Sequence, residues 1–272
     1  MLSIITAIYN GLSMNRLFYE HLKAFTEGEF ELIIIDNGST DGSAEFFEEA
    51  GAKVIRNKAN YSYPYCQNQG IEVASGDLYA FLNNDIIVAP GWDKRLREIM
   101  AKKGIDVICP SGIERIETVE GTRKLKRRWM KIKYFLIQFG TSKGNLARMH
   151  RWMYGNWKSF CAERYNRFGN ETIEGFIGNT VLMTTKALEI IGKWDERIQA
   201  ADFDLYLRSK KRNINQGDIL PAQIALGVFH HHFIRLTVKS QPPVFADADK
   251  LITLEEKWQG ELTSLLADNV SI

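Results

Sequence analysis

Cysteine is scarce: Cys66, Cys109 and Cys161 are odd in number, far apart and lack the paired spacing of a zinc site. A disulfide framework and a structural zinc are both disfavoured, and a reducing compartment fits best. Long apolar runs are absent too, since none reaches the roughly 18 residues that would span a bilayer. The opening MLSIITAIYN has no basic leader before its β-branched run. The expectation is therefore a cytoplasmic chain, at most peripheral at the inner face of a membrane. Charge of one sign is also missing, because 35 basic and 33 acidic residues leave a net +2 and no global field that would argue for nucleic acid. No G-x-G-x-x-G follows a strand and no Walker A loop occurs, so the phosphate-binding turns of dinucleotide oxidoreductases and P-loop enzymes are lacking.

One further absence is local. Between Gly121 and Ala162 there is no Asp or Glu, against eleven Lys or Arg and eight Phe, Tyr or Trp. Leu125, Trp129, Ile132, Leu136 and Phe139 recur at helical spacing, with Lys124, Arg127, Arg128 and Lys131 largely off that line. Two readings stay open: a helix packed on the domain with a solvated charged face, or a surface for an anionic membrane or acceptor.

What is present has ordinary globular proportions, 45% hydrophobic and 25% charged, and reads as one main domain. Strand-like runs at 2–9, 31–36, 53–56 and 78–82 alternate with helical periods at 13–26, 43–50, 65–75 and 91–102, and a further apolar run, DVICP, follows. Such strands, apolar on both faces, imply an α/β, Rossmann-like, mostly parallel sheet flanked by helices. Later, a strand-like run in ETIEGFIGNTVLMTT precedes helices at 186–191 and near 202–213, where Asp202 or Asp204 could cap. A last strand-like stretch leads into GVFHHHF, and ADADKLITLEEKW reads as a closing helix.

In parallel sheets ligands bind beyond the carboxyl ends of the strands. That makes three polar strand ends candidates: YNG at Tyr9, DNGSTDGS at Asp36, and NND at Asn83–Asp85. Each also has a plain structural reading, because Asn and Asp form turns with their own backbone.

These pieces, with CQNQGIEVASGDLYAFLNNDIIV, GKWDERIQAADFDLYLR, the His cluster and the terminal EEKW, in this order resemble an inverting family 2 glycosyltransferase of the GT-A fold. The resemblance implies a nucleotide-sugar-binding half at 1–110 and an acceptor-binding half at 111–272, with the basic insertion at about 121–162. It makes Asp85 the metal-holding end of a D-x-D motif whose first carboxylate is here Asn83, with Mn²⁺ or Mg²⁺ as cofactor. Asn84 would orient the sugar or a metal-bound water, Tyr9 and Asn10 would border base and ribose, and Asp36 would read the base. A carboxylate at Asp36 favours a UDP- or dTDP-sugar, although the same residue starts an ordinary Asx turn. The resemblance also makes Asn68 a nucleotide-binding residue, in the stretch where relatives often carry a basic residue, here Gln67, directly before the Asn.

His230 is the favoured imidazole metal ligand, with His232 as the alternative on the same strand face. Asp202 falls on the catalytic base of an E-D-x-D pattern in which Ala201 replaces Glu. Trp194 and Asp195 read as a structural turn. The implied partners are a nucleoside diphosphate sugar donor and a glycan or lipid-linked acceptor. The rival readings are a nucleotide-sugar-binding protein without transfer activity, motivated by Asn83, Gln67 and Ala201, and a nucleotidylyltransferase, disfavoured because no Gly-rich, Arg-containing loop follows Tyr9.

Overall fold

The computed structural model describes residues 1–234, 236 and 243–266. Strand β1 (Leu2–Ile8), helix α1 (Leu12–Phe25), β2 (Phe30–Asp36), α2 (Ser43–Glu49), β3 (Lys53–Arg56), α3 (Tyr63–Val73) and β4 (Leu78–Leu82) follow the alternation read from the sequence. The β-branched Ile runs are buried on both faces. Ile4, Ile34 and Ala80 pack with Leu17 and Phe18 of α1, while Ile5, Ile33 and Phe81 pack on the opposite layer with Cys66 and Ile71 of α3. Strand β1 lies between β2 and β4 and is parallel to both, with β3 parallel to β2 at the edge. The chain steps one way from β1 to β2 and β3, then crosses to the other side of β1 for β4. The order therefore reverses at β1, and a crevice opens beyond the carboxyl ends of β1 and β4.

The rest of the chain departs from this pattern. It adds β5 (Ile86–Ile87), α4 (Trp92–Lys103), β6 (Val107–Gly112), α5 (Val119–Leu136), α6 (Lys143–Tyr154), α7 (Trp157–Phe168), β7 (Thr172–Glu174), β8 (Thr180–Thr184) and α8 (Thr185–Ile191). It closes with α9 (Ala201–Gln216), β9 (Gln223–His232), α10 (Leu254–Trp258) and α11 (Glu261–Leu266). The strand order is β3-β2-β1-β4-β8-β6-β9-β5, with β7 on β9. Strand β8 runs antiparallel between β4 and β6, while β6 and β9 pair in parallel again, so the sheet as a whole is mixed. Leu82 faces Thr180 across this pair, so β8 begins where β4 ends.

Three sequence expectations change. The basic segment is three helices, α5 to α7, rather than one amphipathic stretch. The run in ETIEGFIGNTVLMTT breaks into β7 and β8, leaving residues 175–179 as a connection. In ADADKLITLEEKW only Leu254–Trp258 is α-helical, started by a Thr253–Glu256 capping box. All three cysteines are free and buried. Among the described residues no helix is long and apolar enough to cross a membrane.

Candidate active site

The loops after β1, β2 and β4 are braced by side chains. Asn10 sits at φ +53°, a left-handed conformation that Asn tolerates, and its Oδ1 accepts from the Thr40 amide at 2.8 Å. The Asn10 amide donates to Ser39 Oγ at 2.7 Å. Buried Asp36 accepts the Ser39 amide at 3.1 and 3.3 Å on its two oxygens, so the Asx turn foreseen for this residue is formed. Asn84 donates to Asn15 Oδ1 at 2.7 Å, and Asn15 in turn donates to the Asn10 carbonyl and to Ser43 Oγ. Tyr9 lies half-buried between Ile8 and this network. Tyr9, Asn10, Asp36 and Asn84 are thus gathered along one crevice edge, although much of their polarity is committed to the loops themselves.

Two assignments are corrected by their surroundings. Asn68 donates to the Trp194 carbonyl and to Glu196 Oε1, both at 2.9 Å, and its Oδ1 accepts from the Trp194 amide at 3.1 Å. Its amide thus serves as a clamp on the 194–196 turn. Neighbouring Gln67 is fully buried, so this helix offers no contact to a phosphate at that position.

His230 is buried, bonded through Nδ1 to Thr180 Oγ1 at 3.0 Å and packed edge-on against Trp92, and burial pushes its pKa down to about 3. The imidazole that meets Asp85 belongs instead to His232, whose Nε2 lies 3.1 Å from Asp85 Oδ1. The same-face alternative is the one the fold selects. On its other side His232 Nδ1 is hydrogen-bonded to Glu114 Oε1. Burial alone lowers the His232 pKa, but the flanking Asp85 and Glu114 carboxylates hold it well above the ordinary value. His231 is buried among Trp129, Tyr154 and Phe233.

Asp202 stands in the first turn of α9, its carboxylate against Gly178, where a Cβ would collide with it. It has no side-chain partner among the described residues. Burial raises its pKa, and backbone N–H groups of its own turn oppose this only in part. Asn179, the next residue after Gly178, accepts the Asn83 amide through its carbonyl at 2.9 Å. Asp202 therefore packs against the residue that precedes Asn179, the partner of the loop that carries Asp85.

Asp204 behaves differently and caps nothing. It is fully buried and held by Arg208 Nε at 2.8 Å, Lys257 Nζ at 2.5 Å and Trp258 Nε1 at 2.9 Å. Lys257 also reaches Asp195 at 2.8 Å, so the EEKW segment locks the 194–197 turn onto α9. Asp195 is held well below the usual carboxylate range, first by Arg197 and then by Lys257 against the opposing effect of burial.

Sequence reasoning missed two members of this cluster. Glu114 follows β6, and the strand-end rule applied to β6 would have found it. Asn179 is buried, with both side-chain amide atoms lacking a partner among the described residues, and it escaped because β8 is antiparallel, so that its beginning lies at the crevice edge. A Cβ on Gly112 would touch both Glu114 Oε2 and Asn179 Nδ2, which marks where these two groups approach.

Among the described residues no group of three or more His, Cys, Asp or Glu is arranged to hold a metal ion. Asp85 and His232 nevertheless offer one oxygen and one nitrogen to a common point, with Glu114 on the far ring nitrogen. A carboxylate on the outer nitrogen is the usual support of a metal-binding imidazole. The pair fits a divalent cation whose remaining ligands come from a bound molecule.

A mixed sheet of this order, with its crevice at the reversal beside β1, is the GT-A fold. The solved structure of GalNAc-T7 with UDP, GalNAc and Mn²⁺ superposes with a TM-score of 0.59 over 89% of this chain and 45% of that one, at 13% identity. Residues 3–187 match the model of glycosyl transferase family 2, and the chain belongs to that family. Glycosyltransferase YibD of Escherichia coli K12 is 34% identical over 110 residues, 39% of this chain and 32% of that protein. Undecaprenyl-phosphate 4-deoxy-4-formamido-L-arabinose transferase of Proteus mirabilis is 33% identical over 116 residues, 39% of this chain and 35% of that protein. The matched stretch spans about a third of each of these relatives.

Proposed function

We propose that the chain is a metal-dependent, inverting glycosyltransferase that moves a sugar from a nucleoside diphosphate, UDP or dTDP by preference, to a hydroxyl of a glycan or lipid-linked saccharide. Residues 1–110 form the donor half and 111–272 the acceptor half. The observation that carries this reading is Asp202, a buried carboxylate with a raised pKa and no side-chain partner among the described residues, packed against Gly178, whose neighbour Asn179 bonds the Asn83 amide of the Asp85 loop. A general base works best when its pKa is tuned toward the working pH. Asp202 takes the proton of the acceptor hydroxyl as that oxygen bonds to the anomeric carbon and the bond to the diphosphate breaks. One displacement inverts the centre, and no enzyme nucleophile is needed.

Asp85 and His232 would hold Mn²⁺ or Mg²⁺. The cation would neutralise the charge that grows on the leaving diphosphate. Tyr9, Asn10 and Asn84 would border the nucleotide, and Asp36 would accept from the base. A metal and a proton compete for His232 Nε2, so occupancy by the cation displaces the proton that the two carboxylates favour.

The chain's second contact is with an anionic membrane. The α5–α6 hairpin leaves Tyr134, Phe135, Phe139 and Trp152 at least half exposed, and Phe135 stacks on Trp152 at 5.9 Å. Arg127 and Lys131 are exposed on the same helix. Exposed aromatics beside cations suit an interfacial helix. Trp129 and Leu136 meanwhile pack into the core, so the stripe read from the sequence is divided between two roles.

Calorimetry of UDP binding with and without Mn²⁺ tests the assignment. Mn²⁺ should strengthen binding, and Asp85→Ala or His232→Ala should remove that gain. Metal-dependent affinity that survives in both variants overturns the metal site.

A further inference from the structure

A cavity of about 720 Å³ lies between the start of α5, β7 with the connection after it, and the first turns of α9, lined there by Phe203 and Tyr206 rather than by Asp202 itself. Phe176, Phe203 and Tyr206 form its apolar wall as a cluster of three rings in mutual contact, Phe176 and Tyr206 being 5.4 Å apart at 31°. Phe176 and Phe203 are 5.1 Å apart at 22°, and Phe203 and Tyr206 are 6.4 Å apart at 14°. Phe203 directly follows Asp202 in the chain.

The charged lining is unbalanced. Glu117 is bound to Arg164 at 3.0 Å, Glu174 to Lys210 at 2.9 Å and to the Tyr206 hydroxyl at 2.7 Å, and Glu114 is turned to His232. The cations Arg115, Arg123 and Lys126 have no ion pair and no side-chain hydrogen bond among the described residues, yet all three line the cavity. Arg123 and Lys126 are one turn apart on the face of α5 that also carries Val119 and Thr122. Arg115 lies against Gly175, whose φ of +142° and missing side chain make room for the guanidinium. Each acid has a partner, Glu114 through Oε1 while its Oε2 has none among the described residues, and three cations have none, so the cavity has the chemistry of an anion site with an aromatic floor.

We propose that this cavity is the acceptor subsite, and that the acceptor is a saccharide bearing an anionic group, a carboxylate or a phosphate. The sugar ring lies on the Phe176–Phe203 wall, and the anion is held by Arg115, Arg123 and Lys126. Planar guanidinium forks suit either oxyanion. The proposal rests on the reading of Asp202 as the base, because that reading makes the adjoining cavity the acceptor's.

The test uses the full chain with saturating UDP and Mn²⁺, and titrates three probes by calorimetry: methyl glucuronide for the carboxylate source, glucose 1-phosphate for the phosphate source, and neutral methyl glucoside. At least one acidic probe should bind more tightly than the neutral one, and which of them does identifies the source. A charged hydrogen bond contributes about 1.5–3 kcal/mol, so removing the cations should weaken the acidic probe by about tenfold or more. R115Q/R123Q/K126Q is the main variant. R123Q/K126Q changes only exposed side chains and should give a smaller loss in the same direction, which guards against misfolding of the triple variant. Unchanged UDP affinity in both variants confirms an intact donor half. The proposal is overturned if neither acidic probe binds, if the neutral probe binds as well as the acidic ones, or if both variants keep the parent's affinity for the acidic probe. Failure of the base assignment has a separate readout: Asp202→Asn would then retain transfer whatever the probes do.

Discussion

Polar groups are used in opposite ways on the two sides of the crevice. Beyond β1, β2 and β4 they are spent on one another, since Asn10, Asp36, Asn15 and Asn84 hydrogen-bond within and between loops. On the wall made by β8 and α9, Asn179 has both amide atoms unpaired and Asp202 lacks a side-chain partner among the described residues. The first arrangement fixes a shape before a ligand arrives. The second keeps reactive groups unspent, at the cost that burying an unpaired polar group always carries. On the function proposed above, the first is the binding edge and the second the reacting wall, and they differ in where the side-chain hydrogen bonds go.

Asp202→Asn attacks the reacting wall most directly. Turnover should fall by about 10²–10⁴-fold, the usual contribution of a general base, while nucleotide affinity stays near the parent's. In the parent, transfer should be lost as pH falls through a pKa above the ordinary aspartate value, because burial raises it and only the deprotonated carboxylate accepts a proton. An acid limb at or below the ordinary aspartate range, or full activity in the variant, would remove Asp202 from the chemistry.

Asp204→Asn, two residues on, should act on stability instead. Breaking a buried charge pair costs about 3–5 kcal/mol, here at the expense of Arg208 and Lys257, and denaturant unfolding measures it. Earlier helix-cap logic would make this a mild change, since Asn caps almost as well as Asp. The fold gives Asp204 a different task, and unfolding indistinguishable from the parent would contradict it.

On the binding edge, Asp36→Ala should weaken UDP binding by about 1.5–3 kcal/mol, the range for a hydrogen bond to a charged group, and added Mn²⁺ should not restore it. Undiminished affinity in a folded variant would leave Asp36 as a turn residue for Ser39 only. The smallest effect is expected at Glu114, which touches His232 and would not touch the metal. Glu114→Gln should lower Mn²⁺ affinity in the presence of UDP by about 10–100-fold. A loss as complete as that of Asp85→Ala would instead make Glu114 a direct ligand.

The sequence by itself determined the parallel unit of β1 to β4. There the β-branched runs of β1, β2 and β4 end in Tyr9, Asp36 and Asn83–Asp85, and parallel strands joined by helices bring consecutive carboxyl ends to one edge. It also made Asp202 the candidate base, through a local pattern that resembles the family's despite the loss of its Glu. Only the tertiary structure decided between His230 and His232, because the period of a strand puts both on one face, and Trp92 with Thr180 on one side and Asp85 with Glu114 on the other divide them. Only it assigned Asn68 to the Trp194 turn, Asp204 to Lys257 and Trp258, and Asn179 to the crevice. Those contacts join residues 53 to 126 positions apart, the separations of Asp204–Lys257 and Asn68–Trp194. Periodicity and turn chemistry are local, whereas partners so distant are chosen by how the packed elements meet.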